Sequence, residues 1–233
     1  MPISTGEPAV QGYRERRSRL PGVVAWERPS PEGDTGLVLP DGCMDLIWTD
    51  GTLIVAGPDT HAHEPGEPAT YAGLRFPPGT GPAVLGVPAA ALRDQRVPLS
   101  DIWPAARVRR LAGQVNGAAD RLSALEDVAA RVMPPADPEL GLIVKSLDAG
   151  AGVAQTAALA GLGERRLHRR CLDAFGYGPK TLARILRLNR ALDLARTGAP
   201  FATVAAQAGY ADQAHLARDV KDMAGVPLSS LLA

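Results

Sequence analysis

Arginine, glutamine and histidine can read the edges of DNA bases, and they recur near the C-terminal end of this chain at helical spacing. In LGERRLHRRCLDAFG (162–176), the apolar residues Leu167, Cys171 and Phe175 are spaced four and four, so a helix buries them on one stripe. Arg165, His168 and Arg169 then fall on the opposite face. In DQAHLARDVKDMAG (212–225), Leu216, Val220 and Met223 form the apolar stripe, and Gln213, Ala217, Arg218 and Lys221 lie largely across from it. Arginine matches guanine O6 and N7 with paired hydrogen bonds, and glutamine matches adenine in the same way. A lysine such as Lys221 suits a phosphate, which fixes position without reading sequence. The chemistry implied is base recognition by side chains on a helix lodged in a major groove about 12 Å wide.

The elements needed to hold these side chains are present on both sides. A first helix over about 153–160 packs by Val153, Ala157 and Ala160, Gly161 breaks it, and the cationic helix opens near Glu164. The same order returns with a helix of about 201–208, Gly209 at the turn, and a second polar helix opening at the N-cap candidate Asp212. Helix, glycine turn and exposed polar helix make a helix-turn-helix unit. Between the two units, Leu182, Ile185, Leu186, Leu192 and Leu194 drive one long helix of about 17 residues behind Pro179, with an axis of about 25 Å. With the flanking widths added, the two polar helices stand near one DNA turn apart, about 34 Å. One chain could then read two successive major grooves.

At these residues the sequence resembles the AraC family of bacterial transcription regulators, over about 152–229. The stretches that carry the likeness are LGERRLHRRCLDAFGYGPKTLARILRLNRALDLA and VAAQAGYADQAHLARDVKDMAGV. The resemblance implies that the first unit reads bases through Arg165, His168 and Arg169, and the second through Gln213, Ala214, Ala217 and Arg218. Cys171 and Val220 stand where the family usually has Phe, which makes both small cores smaller. The family's closing Gly-x-Ser-Pro is here Gly225-Val226-Pro227-Leu228, with Pro shifted by one. Ala214 and Ala217 have little hydrogen-bonding reach, so the second unit relies more on backbone and apolar contact. Double-stranded DNA is the implied partner, with RNA polymerase and a homodimer as further implications.

The charge distribution agrees with a DNA-binding C-terminal part. Lys and Arg number 25 and so do Asp and Glu, for a formal net charge of zero. Residues 1–144 nevertheless hold 13 cationic against 18 anionic side chains, and residues 145–233 hold 12 against 7. A basic module joined to an acidic one suits contact with phosphate by its C-terminal part. Hydrophobic residues make up 45% of the chain, enough for a real core, and aromatic residues only 4%.

Up to about residue 103 the apolar runs are short and β-like: GVVAWERP (22–29), CMDLIW (43–48), TLIVAG (52–57) and TYAGLRF (70–76). They are separated by turn clusters, and Asp50-Gly51 between two of them signals a hairpin. From about 105, ARVRRLAGQV, ADRLSALEDVAARVM and PELGLIVKSLDAG turn to helical periodicity, with Pro134-Pro135 separating the last two. The expected fold is α+β: a β-rich regulatory domain over 1–104, a helical connector over 105–149 that could supply a dimer face, and an all-α domain over 150–233. The segments LPDGCMDLIW, IVAGPDT, AGLRFPPGTGPAVLGVPAAAL and VPLSDIW resemble the β-rich domain fused to this subgroup of regulators. That likeness implies a sensing or dimerising role and names no ligand-binding residue.

Other residues invite sharper chemistry. His61-Ala62-His63-Glu64 has the spacing of a metal-binding pair, but the prolines around it favour an exposed loop, and neither metal nor cofactor is expected. Cys43 with Asp45 suggests a nucleophile or thiol sensor, against a simply buried thiol. Trp26, Trp48 and Trp103 read equally as a ligand pocket or as core aromatics, and Arg75, charged within a strand, could meet an anionic effector. Trp26, Trp48 and Arg75 are the candidate effector residues. Arg107, Arg109 and Arg110 read as a solvated helix face. With two cysteines, no CxxC, no apolar stretch of a secretory signal and no run of about 18 apolar residues, a reduced, cytoplasmic, non-membrane protein is expected. A β-barrel enzyme or a DNA-repair protein with a DNA-binding tail is the alternative; the enzyme requires convergent titratable groups in the first hundred residues, and the repair reading a Cys-rich metal site or a suggestively spaced Cys/His pair, which the sequence lacks.

Overall fold

A computed structural model describes residues 12–30, 36–64, 66 and 69–232. Six strands form one antiparallel sheet: β1 (Arg14–Arg17), β2 (Val24–Ser30), β3 (Met44–Thr49), β4 (Thr52–Ala56), β5 (Ala69–Phe76) and β6 (Arg96–Pro98). Their order across the sheet is β1-β2-β5-β3-β4-β6. The expected hairpin joins β3 to β4: Thr49 pairs with Thr52, and Asp50 and Gly51 take φ of 43° and 84°. Two successive left-handed residues make the tight turn that matches strand twist, and glycine at the second position carries it without strain.

Because side chains alternate along a strand, the sheet has two different faces. Ala25, Leu46, Trp48, Leu53, Val55, Ala72, Leu74 and Phe76 are buried on one of them. That face is covered by α2 (Ala105–Asn116) and α3 (Arg121–Ala130), which bring Val108, Leu111, Val115, Leu122, Leu125 and Val128 into the same core. The short α1 (Gly81–Leu85) adds Val84 and Leu85. The other face carries Trp26, Ile47 and Ala56 with Ile54 and Tyr71 packed beside them.

After Pro134-Pro135 the chain enters a second core. Asp137 caps α4 (Pro138–Asp148) by accepting from the backbone N–H of Glu139 and Leu140 at 2.9 and 3.1 Å. Leu140, Ile143 and Leu147 of α4 pack with the remaining helices: α5 (Val153–Leu159), α6 (Glu164–Phe175), α7 (Pro179–Arg196), α8 (Phe201–Ala208) and α9 (Gln213–Ala224). The helices of 105–149 therefore do not form a separate connector layer. α2 and α3 complete the first core and α4 the second.

The two bodies meet along a defined seam. Leu37, Leu39 and Ala62, all from loops of the N-terminal body, pack against the helical core. The backbone N–H of Ala62 donates to the Met223 carbonyl at 2.7 Å, and Asn189 Nδ2 donates to the Pro40 carbonyl at 3.3 Å. Arg93 Nη1 donates to the Gly176 carbonyl at 3.3 Å. Gly176 has φ of 84°, and a Cβ there would lie 2.6 Å from Pro58. Glycine is thus required at Gly176 both for the turn and for the close approach.

Candidate nucleic-acid interface and sheet-face cavity

The two helix-turn-helix units are built by the same local device. At the end of α5 the Leu162 N–H donates to Ala157 O at 2.8 Å and the Gly161 N–H to Ala158 O at 3.1 Å. At the end of α8 the Tyr210 N–H donates to Ala205 O at 2.9 Å and the Gly209 N–H to Ala206 O at 3.3 Å. Gly161 and Gly209 have φ of 65° and 85°. This paired closure satisfies the carbonyls left over at a helix end, and it requires a left-handed residue at the glycine. The chain then turns into α6 and α9 at equivalent points. Asp212 caps α9, accepting from the His215 N–H at 2.6 Å; α6 begins after Gly163, without a side-chain cap.

On α6 the buried residues are Leu167, Cys171, Ala174 and Phe175; on α9 they are Leu216, Asp219, Val220, Met223 and Ala224. Arg165, His168 and Arg169 are exposed on the first helix, and Gln213, Ala214, Ala217, Arg218 and Lys221 on the second. All eight residues singled out from the sequence thus reach the surface on the sides of the two helices away from their cores.

The arginines of the helical body divide into two groups. Arg170 pairs with Asp137 and Glu139, Arg184 with Asp219 and Asp222, Arg187 with Asp219, Arg190 with Asp148 and Arg196 with Asp193. Arg165, Arg166, Arg169 and Arg218 enter no ion pair among the described residues. The paired group locks helices together: Arg184 and Arg187 of α7 grip Asp219 on the inner side of α9, and Arg187 also lies 4.5 Å above the Tyr210 ring. The other group leaves its charge facing outward. Arg166 and the exposed Lys180 at the start of α7 belong with it, although sequence reasoning did not select them. Arg166 escaped because the resemblance drew attention to its neighbours; its exposed position on a cationic helix was the available signal.

The second sheet face forms the floor of a cavity of about 330 Å³, lined among others by Trp26, Arg28, Asp45, Tyr71 and Arg75 from the strands. Trp26 lies flat over Gly73, its cross-strand neighbour, where a Cβ would come within 2.5 Å of the indole. Trp26 Nε1 donates to Asp45 Oδ1 at 2.7 Å. Arg75, only 7% exposed, stands with Nε 3.3 Å from both Asp41 and Asp45. Two loops roof the cavity, residues 36–43 and 57–64, joined where Val38 and His63 exchange backbone hydrogen bonds at 2.9 and 3.1 Å. The structure therefore brings Trp26 and Arg75 together but sets Trp48 on the opposite face. Trp48 is one residue out of phase with Asp45 and Ile47, and its Nε1 donates to Asn116 Oδ1 at 2.5 Å beneath Arg121. Trp103 likewise belongs to the first core, donating to Leu85 O at 2.8 Å with Arg107 over its ring. Sequence reasoning missed Arg28, Asp41, Asp45 and Tyr71 as cavity residues, although alternation from Trp26 and Arg75 places Arg28 and Tyr71 on their face.

Among the described residues no three His, Cys, Asp or Glu side chains come together as a metal site. His63 is instead drawn to Asp59 at 3.3 Å, and Asp59 also pairs with Arg96. Both cysteines are buried as free thiols. Burial pushes the Cys43 thiol well above its ordinary range, with Asp41 and Asp45 adding to the effect. Burial also pushes Cys171 up to about 12. A nucleophilic thiol needs the opposite shift. No described helix is long and apolar enough to cross a membrane.

Comparison with known proteins agrees with this geometry. Residues 156–233 match the family described as "Helix-turn-helix domain", of the AraC type, and residues 23–98 match a "Domain of unknown function (DUF6597)". No curated protein matches the chain. Apo ToxT from Vibrio cholerae is 11% identical with a TM-score of 0.50, covering 94% of this chain and 98% of that one, a likeness of fold. A probable AraC family transcriptional regulator from Rhodopseudomonas palustris is 25% identical with a TM-score of 0.36, covering 41% of this chain and 95% of that one. A further ToxT structure, with unsaturated fatty acid bound, is 11% identical with a TM-score of 0.43, covering 96% of this chain and 95% of that one. The two glycine-closed units with their outward polar helices thus coincide with the family match, and residues 156–233 form a helix-turn-helix domain of the AraC type.

Proposed function

We propose that the protein is a sequence-specific transcription regulator that reads two successive major grooves of double-stranded DNA with α6 and α9. The observation that carries this reading is the division of the arginines. Those on the inner sides of the helices are ion-paired, whereas Arg165, Arg169 and Arg218 stand exposed where a groove-facing residue is needed. α7, with 18 residues, is about 27 Å long and separates the two units. Arg165, His168, Arg169, Gln213 and Arg218 read bases; Ala214 and Ala217 make close apolar or backbone contact; Lys221 holds a phosphate. Residues 150–233 act as the DNA-binding domain. The β-rich N-terminal domain is regulatory, with the sheet-face cavity as the place for a small-molecule effector, and homodimerisation and contact with RNA polymerase complete the reading.

The test is fluorescence anisotropy of the full-length chain on labelled duplex at several salt concentrations. Binding should weaken steeply with salt, as phosphate counterions return to the DNA. Affinity that does not respond to salt, or that is equal for single-stranded and duplex DNA, contradicts the reading.

A further inference from the structure

We propose that the sheet-face cavity binds a small organic carboxylate, whose anionic group takes the place of Asp41 on Arg75. This deepens the effector reading above and names the chemistry of the ligand. Arg75 is held between two carboxylates that differ in how they are mounted. Asp45 belongs to β3 and is fixed by the Trp26 indole N–H at 2.7 Å, so it moves only with the sheet. Asp41 belongs to the roof loop, where the Cys43 N–H donates to its Oδ1 at 2.8 Å and its Oδ2 stands 3.3 Å from Arg75 Nε. The Asp41–Arg75 pair therefore joins roof to floor across a cavity of about 330 Å³. A second carboxylate supplied from outside has the same charge and size as the group it displaces. Its apolar body would lie on Ile47, Ile54 and Trp26. A phosphate would bring greater charge and bulk into a place shaped for a carboxylate.

The exchange has a consequence beyond the cavity. The loop that carries Asp41 touches both bodies: Val38 and Leu39 line the cavity, Leu37 and Leu39 pack on the helical core, and Pro40 accepts from Asn189 of α7. A ligand that releases Asp41 thus loosens the loop that steadies α7, the helix linking the two DNA-reading units.

The test is isothermal titration calorimetry of the full-length chain with 4-phenylbutyrate, 4-phenylbutanamide and 4-phenylbutylamine. The acid should bind, and the amide and amine at least about tenfold more weakly. Asp41→Asn, which removes the competing charge while keeping the side chain's shape, should tighten the acid by about tenfold. Arg75→Gln should abolish binding, and because that variant places a new group in a buried position, Asp41→Asn is the deciding one. Equal binding of acid and amide overturns the proposal. So does an Asp41→Asn protein that shows no gain for the acid, or that binds none at millimolar concentration. DNA affinity measured with and without the acid separates the two levels: bound acid with unchanged DNA affinity leaves the site standing and overturns the effector reading alone.

Discussion

Tyr210 and Asp219 are joined by a hydrogen bond from the phenol to Asp219 Oδ2 at 3.0 Å, just behind the outward face of α9. The same carboxylate accepts from Arg184 and pairs with Arg187, so the turn before α9, the helix itself and α7 converge on one buried acid. That convergence fixes the angle at which α9 leaves the core. The residues proposed to read DNA are exposed, but their direction is set by groups that never touch it.

Replacing Asp219 should therefore affect both stability and DNA binding. Asp219→Ala leaves the Tyr210 hydroxyl and the Arg187 guanidinium without their buried partner. Breaking a buried pair is costly, and the partial exposure of Arg184 reduces the effect, so a loss of about 2–3 kcal/mol is expected. Urea unfolding of the full-length variant measures it, and a change below about 0.5 kcal/mol would show that this acid does not hold α9 in place.

Asp212→Ala tests the cap of α9 alone. The lost hydrogen bond to the His215 N–H should cost about 1 kcal/mol. Asp212→Asn, which keeps an accepting oxygen, should recover most of it. A variant pair with equal losses would show that charge, not capping geometry, matters there.

The proposed division between reading and positioning residues gives different signatures. Arg169→Ala and Arg218→Ala should each cost about 1–3 kcal/mol on the cognate site and relax preference at one base position. Lys221→Ala should weaken all sequences alike and lower the salt slope by about one. Competition binding against random DNA checks both, and equal losses of Arg169→Ala on cognate and random duplex would deny it a base-reading role.

Glu126 of α3 supplies a pH dependence in the other body. Burial raises its carboxyl, but hydrogen bonds from Arg16, Ser18 and the Arg19 backbone outweigh that and hold it below its ordinary value of 4.5. A depressed carboxyl contributes stability above the unfolded value and loses it as pH falls through the folded one. Glu126→Gln should thus be less stable than the parent at pH 7, with the difference shrinking from about pH 5 downward. Thermal unfolding across pH 3–7 reads this, and a constant difference over that range would refute it.

Much of this architecture was legible in the residues. The Asp50-Gly51 turn, the glycine breaks at 161 and 209, the Asp212 cap and the apolar stripes of α6 and α9 are local signals, and each is realised locally. Packing between distant segments was not legible. Periodicity shows that α2, α3 and α4 each bury a stripe but not against what, so their division between two cores emerges only in three dimensions. Trp48 illustrates the same limit: strand alternation separates it from Asp45 and Ile47, but which face holds the cavity depends on where α2 and α3 dock. Asp41, in a turn cluster, gains its role only because the chain returns Arg75 beside it.

Whether two helices of one chain read two grooves is decided by selecting bound sequences from a random duplex pool. The full-length protein and its Arg169→Ala and Arg218→Ala variants are compared. Two short enriched blocks about one helical turn apart are expected, with each variant losing preference within a different block. A single block altered by both variants, or no enrichment by the parent protein, would contradict the two-groove reading.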